Sequence, residues 1–109
     1  AARMFISEHL DYKILQTNFR TREGEIDIIA KLGATLVFIE VKTRTNKEFG
    51  LGIEQITKRK AIRLQAAAQR YLEQTESTNV DWRIDLLSIE MTKSGHVQHI
   101  AHVQNAIEL

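Results

Sequence analysis

The 109-residue chain is long enough for one hydrophobic core, and its 43% hydrophobic and 27% charged residues exclude wholesale disorder. The absence of cysteine excludes disulfides and thiolate metal sites, and it fits a cytoplasmic protein. A formal net charge of +1 gives no argument for nucleic acid from bulk charge, and no apolar run approaches the ~18 residues that cross a bilayer. No proline, linker or repeat divides the chain, so we expect a single domain over residues 1–109 with no membrane partner.

Hydrophobic periodicity and turn signals predict seven elements. In chain order they are a helix, three strands, a second helix and two strands, over residues 1–10, 12–19, 25–32, 35–42, 53–76, 82–91 and 96–103. Because the chain begins inside the first helix, we expect that helix to be truncated. β-Branched residues on both sides of Gly33-Ala34 indicate a tight hairpin, and residues 43–52 are predicted to form a loop. This order predicts an α/β (α+β) fold with helices packed on a mixed sheet of about five strands.

Acidic residues interrupt the two apolar strands of the hairpin. Glu40 lies inside an apolar run, and Lys42 follows on the same face because side chains alternate along a strand. A buried carboxylate is costly unless a partner or a metal balances it, and Lys42 is one candidate partner. On the preceding strand Glu25 and Asp27 are predicted to share one face. The opposite face is assigned to Ile26, Ile28 and Ala30.

The two acids are expected to meet when the hairpin folds. With Gly33 and Ala34 as the turn, Asp27 lies directly opposite Glu40. Two facing carboxylates repel each other unless a positive charge lies between them, and Mg²⁺ or Mn²⁺ supplies that charge to oxygen ligands. Lys42 can then position an attacking water or stabilise charge on a phosphate. The same residues on a solvated face would be ordinary surface charges, so the hypothesis requires that the face carrying Phe38 is buried.

Four segments resemble the YraN-like family of small bacterial proteins: residues 24–30 (GEIDIIA), 38–44 (FIEVKTR), 82–85 (WRID) and 104–107 (QNAI). Members of that family are placed in the PD-(D/E)xK superfamily, with restriction enzymes and archaeal Holliday-junction resolvases. The resemblance implies a restriction-endonuclease-like core and a metal-dependent nuclease. Two-fold dimers are frequent among the junction-cutting relatives, so the resemblance also allows a homodimer.

The same resemblance assigns roles to residues of the hairpin. Asp27 matches the first acid of the superfamily, and Glu40 and Lys42 match its E-x-K half. The carbonyl of Val41 is a further candidate metal ligand, and Glu25 is an accessory candidate. Ile26 stands where the superfamily has proline. Relatives usually begin with a further stretch of the first helix that carries an acid, so one contributor to the metal site is expected to be missing from this sequence.

Basic residues near the hairpin indicate a polyanionic partner, which we expect to be nucleic acid. The charges leave DNA and RNA open, and the resemblance implies DNA, branched DNA included. On the second helix, Arg59, Arg63 and Arg70 are predicted to share a face opposite the apolar stripe, flanked by Lys58 and Lys60. Lys42, Arg44 and Lys47 precede that helix. Gln55 and Lys58 resemble polar residues that relatives place over the active site.

Two alternatives to a nuclease remain open at this point. One is a non-catalytic nucleic-acid-binding module on the same scaffold, and the other is a protein-interaction adaptor in which Glu40 and Lys42 form a structural ion pair. Asp85 is either a buried acid near the site or an ordinary strand residue. A zinc site at His96, His99 and His102 is not favoured, because the strand interpretation turns His99 to the opposite face.

Overall fold

The computed structural model describes residues 2–45 and 56–107, which form two helices and five strands. In chain order the elements are α1 (Ala2–His9), β1 (Lys13–Arg20), β2 (Glu25–Leu32), β3 (Thr35–Thr45), α2 (Lys58–Gln74), β4 (Trp82–Met91) and β5 (Val97–Val103). Among these residues no helix is long and apolar enough to cross a membrane.

The hairpin turns where the sequence predicts it. Gly33 has a φ of 61°, a left-handed conformation that glycine adopts without steric cost. Leu32 pairs with Thr35 next to the turn, and the antiparallel ladder continues to Ile28 and Ile39. The predicted turn and register are therefore confirmed.

Two predicted boundaries were wrong by three residues or more, and the others lie within two residues of the observed ones. β3 continues to Thr45 instead of ending at residue 42, because β4 supplies a parallel partner as far as Met91. α2 begins at Lys58 instead of residue 53: Thr57 is its N-cap, and the hydroxyl of Thr57 accepts a hydrogen bond from the backbone N–H of Lys60 at 3.2 Å. Residues 53–55 of the predicted helix lie outside the described part of the chain.

The five strands form one mixed sheet in the order β1-β2-β3-β4-β5. β3 and β4 are parallel, and every other neighbouring pair is antiparallel. A parallel pair needs a crossover connection, and α2 lies in the segment that makes it. The predicted fold class is confirmed, and the arrangement is consistent with a restriction-endonuclease-like core.

Apolar side chains cover both faces of the central strand. On the side that we call the α2 face, Phe38 packs with Leu64 and with alanines of α2. On the other side, the α1 face, Val37 and Ile39 pack with Ile6 of α1. β3 therefore lies in the middle of the molecule, as its continuous apolar sequence predicts.

A close backbone contact fixes α2 against the turn between β1 and β2. A Cβ added at Gly24 would lie 2.9 Å from the carbonyl oxygen of Arg63. Only glycine allows this approach without a shift of the helix backbone. The contact holds the first half of α2 beside the start of β2, which is also the end of the hairpin that carries the acidic residues.

The α1 face holds a fully buried carboxylate, that of Asp85. Its Oδ1 accepts from Nε of Arg83 at 3.0 Å and from the backbone N–H of Asn105 at 2.9 Å. Its Oδ2 accepts from the hydroxyl of Tyr12 at 3.1 Å and lies 2.8 Å from Nε2 of His102. Burial and the neighbouring carboxylate raise the pKa of Tyr12, which keeps its hydroxyl protonated as a donor. This cluster joins β4 to β5 and to the residue before β1.

Replacing Arg83 with methionine is expected to lower the free energy of unfolding by about 3 kcal/mol, because Asp85 would stay buried without its cation. Urea-induced unfolding, followed by circular dichroism, measures the change. Arg22→Met removes an exposed arginine from the β1–β2 turn and serves as the control, expected within about 0.5 kcal/mol of wild type. A loss from Arg83→Met no larger than that of the control would show that the other donors suffice.

Candidate active site

β3 carries Glu40 and Lys42 onto the α2 face, in line with Phe38. Phe38 is 1% exposed and Glu40 is 5% exposed, so the carboxylate lies under the helix and not on a solvated surface. The condition set by the sequence analysis, that the face carrying Phe38 be buried, is met. The interpretation of Glu40 as an ordinary surface charge is therefore excluded.

Asp27 lies beside this strand at the point where the β2–β3 ladder stops. The last backbone pair is Ile28 with Ile39, and beyond it the backbone N–H of Val41 donates to Oδ2 of Asp27 at 2.8 Å. The side chain of Asp27 thus takes the place of a backbone acceptor. The ladder ends before Asp27 and Glu40, so the predicted cross-strand pair of these two residues is not part of it. The two acids are close enough for the negative charge of Asp27 to raise the pKa of Glu40.

β2 is irregular at Asp27, and this corrects one prediction. Ile26 packs in the cluster on the α2 face, whereas Ile28 and Ala30 pack on the α1 face, so these three residues do not share one side. Across the strand pair, Asn18 faces Asp27 and has a φ of 54°. Side chains stop alternating between the two faces of the sheet where the backbone departs from the regular pleat. In β2 this irregularity lies at Asp27.

The charge balance around Glu40 depends on a residue that the sequence analysis did not assign to the site. Burial raises the pKa of Glu40, and the nearby negative charge of Asp27 raises it further. Lys60 opposes both effects, since its Nζ lies 3.2 Å from Oε2 of Glu40, and Lys42 also contributes. Lys42, one candidate partner of Glu40 in the sequence, is thus not the lysine in contact with it: α2 supplies that lysine, Lys60.

A signal for Lys60 was present in the sequence. Lys60 precedes Leu64 by four residues, and Leu64 is a buried residue of the helix stripe that faces the sheet. Residues four apart lie on the same side of a helix, so Lys60 lies one turn before Leu64 on the side of α2 that faces the sheet. The periodicity that identified the core of α2 also identified this lysine, but only as a flanking charge.

Lys42 lies half-buried, next to Ser88 in the parallel register of β3 and β4. Ser88 is itself buried. Within residues 2–45 and 56–107 Lys42 forms no ion pair, in contrast to Lys60.

The donor set fits a divalent cation that prefers oxygen. Asp27 and Glu40 supply carboxylates, and the carbonyl of Val41 projects from the same edge of β3 as the Val41 N–H that contacts Asp27. Among the described residues no group of three acidic, histidine or cysteine side chains could hold a metal. The candidate metal site therefore consists of two carboxylates and one backbone carbonyl.

The basic residues of α2 divide into two groups. Arg63 and Arg70 do not lie on an outer face opposite the core, because both reach the β1–β2 turn: Nε of Arg63 is 3.4 Å from the carbonyl oxygen of Glu23, and Arg70 forms a 2.9 Å ion pair with the Glu23 carboxylate. That pair lowers the pKa of Glu23. Lys58 and Arg59 are exposed, and in the described part of the chain they form no ion pair.

The remaining predicted residues lie as follows. Arg44 is on β3 and lies 3.5 Å from Glu90 of β4. Glu25 forms an exposed ion pair with Arg20 at 3.2 Å and is not among the charges that act on Glu40. Two more predicted contributors, Gln55 and Lys47, are outside the described residues.

The side chains singled out on β4 and β5 lie away from this site. Asp85 is buried but on the α1 face, so it is separated from Glu40 by the sheet. His102 contacts Asp85, and His96 lies beside Ser94 at 3.1 Å in the β4–β5 turn. The buried acid of β4 therefore belongs to the structural cluster with Tyr12 and Arg83.

Fold and site together define an α/β protein whose central strand carries a buried carboxylate between a second acid and two lysines. The chain belongs to the uncharacterised protein family UPF0102, which matches residues 1–89, and the resemblance to the YraN-like family is thereby confirmed. Similar proteins include the UPF0102 protein of Geobacter metallireducens, 44% identical over 98 residues that cover 90% of this chain and 79% of the relative. The UPF0102 protein of Caldicellulosiruptor saccharolyticus is 39% identical over 97 residues, with 89% and 82% covered.

Glu40→Gln is expected to change how stability depends on pH. Because the pKa of Glu40 is raised in the fold, the folded protein keeps a proton that the unfolded chain has lost once pH exceeds the ordinary glutamate value. The wild-type free energy of unfolding should therefore fall, relative to the variant, as pH rises through that window, and level off above the folded pKa. Urea titrations across mildly acidic to neutral pH measure the difference.

Glu8→Gln, which removes an exposed carboxylate from α1, controls for the loss of one negative charge. A stability difference between wild type and the Glu40→Gln variant that stays constant, or that shifts in favour of wild type as pH rises, would contradict the burial and repulsion assigned to Glu40.

Proposed function

We propose that this protein is a metal-dependent nuclease that hydrolyses phosphodiester bonds of nucleic acid. The observation that carries the proposal is the buried carboxylate of Glu40, which lies against the negative charge of Asp27 and within the influence of Lys42 and Lys60. A protein that needed only a stable core would gain nothing from two acids at this position, because burying them is unfavourable. An acid whose pKa is raised by burial and by a neighbouring like charge is a candidate for a functional residue.

Each residue of the site would have its own role in the reaction. Asp27, Glu40 and the carbonyl of Val41 would hold Mg²⁺ or Mn²⁺, and when bound the cation supplies Lewis-acid stabilisation of charge on the phosphate. Asp27 is oriented by the backbone N–H of Val41, which fixes one of its oxygens. Lys42 would hold the attacking water or stabilise the negative charge that develops on the phosphate oxygens.

The polyanionic substrate is supported by the exposed cations at the start of α2. Lys58 and Arg59 lie on the first turn of the helix that covers Glu40, and that turn contains no acid. Lysine and arginine at such positions contact phosphates without reading sequence. We propose DNA, branched DNA included, as the substrate class, a cytoplasmic location, and membership of the PD-(D/E)xK superfamily.

Lys42→Ala and Glu40→Gln are each expected to reduce the cleavage rate at least about 100-fold, because they remove charge stabilisation and a metal ligand respectively. The assay incubates purified protein with single-stranded, duplex and four-way-junction DNA in Mg²⁺ or Mn²⁺, with chelator as the blank. Lys31→Ala, an exposed lysine on the same hairpin, is the matched control and should cleave like wild type. Cleavage at the full rate by Lys42→Ala would refute the assignment.

A second function is favoured by one observation: among the described residues only two acids meet at the site. A scaffold with too few ligands would bind nucleic acid without cutting it. Calorimetric titration with Mg²⁺ separates the two, since the binding module gives DNA binding that weakens with salt but neither metal heat nor cleavage. An adaptor based on a Glu40–Lys42 ion pair has no support, because Glu40 contacts Lys60 instead.

A further inference from the structure

The ion pair between Lys60 and Glu40 lies where the proposed metal would bind. Nζ of Lys60 is 3.2 Å from Oε2 of Glu40, which belongs to the carboxylate proposed as a metal ligand. The two side chains differ in exposure: the carboxylate is 6% exposed, and the lysine side chain is 47% exposed. The acid is therefore fixed, whereas the lysine reaches it from the solvent side.

We propose that Lys60 is the counter-ion that holds Glu40 in the metal-free protein, is displaced by the divalent cation, and then binds a phosphate of the nucleic acid. The inference rests on the proposed function, because it assigns a role to a residue of the same site. It adds a substrate-binding residue that the hairpin motif does not contain.

Competition between Lys60 and the metal ion follows from the charges around Glu40. Nζ of Lys60 lies 3.2 Å from Oε2 of Glu40 and, in the metal-free protein, opposes the effects of burial and of Asp27 on the ionised carboxylate. When a divalent cation lies between the two carboxylates, a lysine in contact with one of them is repelled. Removing the lysine should therefore strengthen metal binding, which is the opposite of what loss of a supporting residue would do.

The position of Lys60 on α2 would also allow its ammonium to move away from Glu40. Its side chain is a flexible four-carbon stem on the first turn of α2, beside the exposed Lys58 and Arg59. A small rotation of that stem moves the ammonium from Glu40 towards the surface where these two cations lie. Lys42 is different, because it stands on the central strand and makes no ion pair with the described residues.

The test measures Mn²⁺ affinity by calorimetry at mildly alkaline pH for wild type, Lys60→Met and Lys60→Arg. Lys60→Met is expected to bind Mn²⁺ about tenfold more tightly, because it removes the competing charge. Lys60→Arg, which keeps the charge and can form a bidentate pair with the carboxylate, should bind Mn²⁺ no more tightly than wild type. Lys31→Met removes an exposed lysine of the hairpin that lies outside the proposed site and should leave the Mn²⁺ affinity unchanged.

The second arm measures DNA binding by fluorescence polarisation in Ca²⁺, with thermal unfolding as the check on folding. Lys60→Met should bind DNA at least about threefold more weakly while it binds metal more tightly. Equal or weaker Mn²⁺ binding by a folded Lys60→Met protein would overturn the proposal, as would the absence of Mn²⁺ binding by every variant. If Mn²⁺ tightens as expected but wild type cleaves no DNA, the nuclease assignment fails and the counter-ion role stands.

Discussion

The site depends on the carboxylate of Glu40, which is buried although burial disfavours its ionised form. Glu40 lies under α2, next to a second acid, and every feature of the site follows from the need to balance its charge. Asp27 is held by a backbone N–H of the central strand, so it cannot turn away, and Lys60 supplies the nearest positive charge. A site of this kind suits a divalent cation, because such a cation can lie between the two carboxylates, whereas Lys60 contacts only that of Glu40.

The sheet separates two buried acids with opposite properties. Asp85, on the α1 face, has donors on both oxygens, among them Arg83, and its cluster joins the strands. Glu40, on the α2 face, has Lys60 as its one ion-pair partner in the described part of the chain. A fully satisfied carboxylate serves the fold, whereas a partly satisfied one retains the capacity to bind a ligand. The mixed topology makes this possible, because the parallel β3–β4 pair places both acids on neighbouring central strands but on different sides.

Short-range sequence patterns predicted much of the fold. The predictions that failed depend on contacts between residues that are far apart in the chain. The turn at Gly33, and with it the register of β2 and β3 as far as Ile28 and Ile39, follows from short-range hairpin chemistry. The extension of β3 was not predictable, because its partner β4 lies far along the chain. The same holds for Arg70, whose ion pair with the β1–β2 turn depends on how the helix docks, and for Lys60, whose acid is on another element. Periodicity shows which side of a helix is buried but not which strand lies beneath it.

A crystal structure of the protein with Mn²⁺, recorded at a wavelength where manganese scatters anomalously, tests the central claim most directly. The account predicts an anomalous peak between the carboxylates of Asp27 and Glu40, within bonding distance of the carbonyl oxygen of Val41, with the ammonium of Lys60 moved away from Glu40. A map without such a peak at saturating Mn²⁺, in which Lys60 still contacts Glu40, would contradict it.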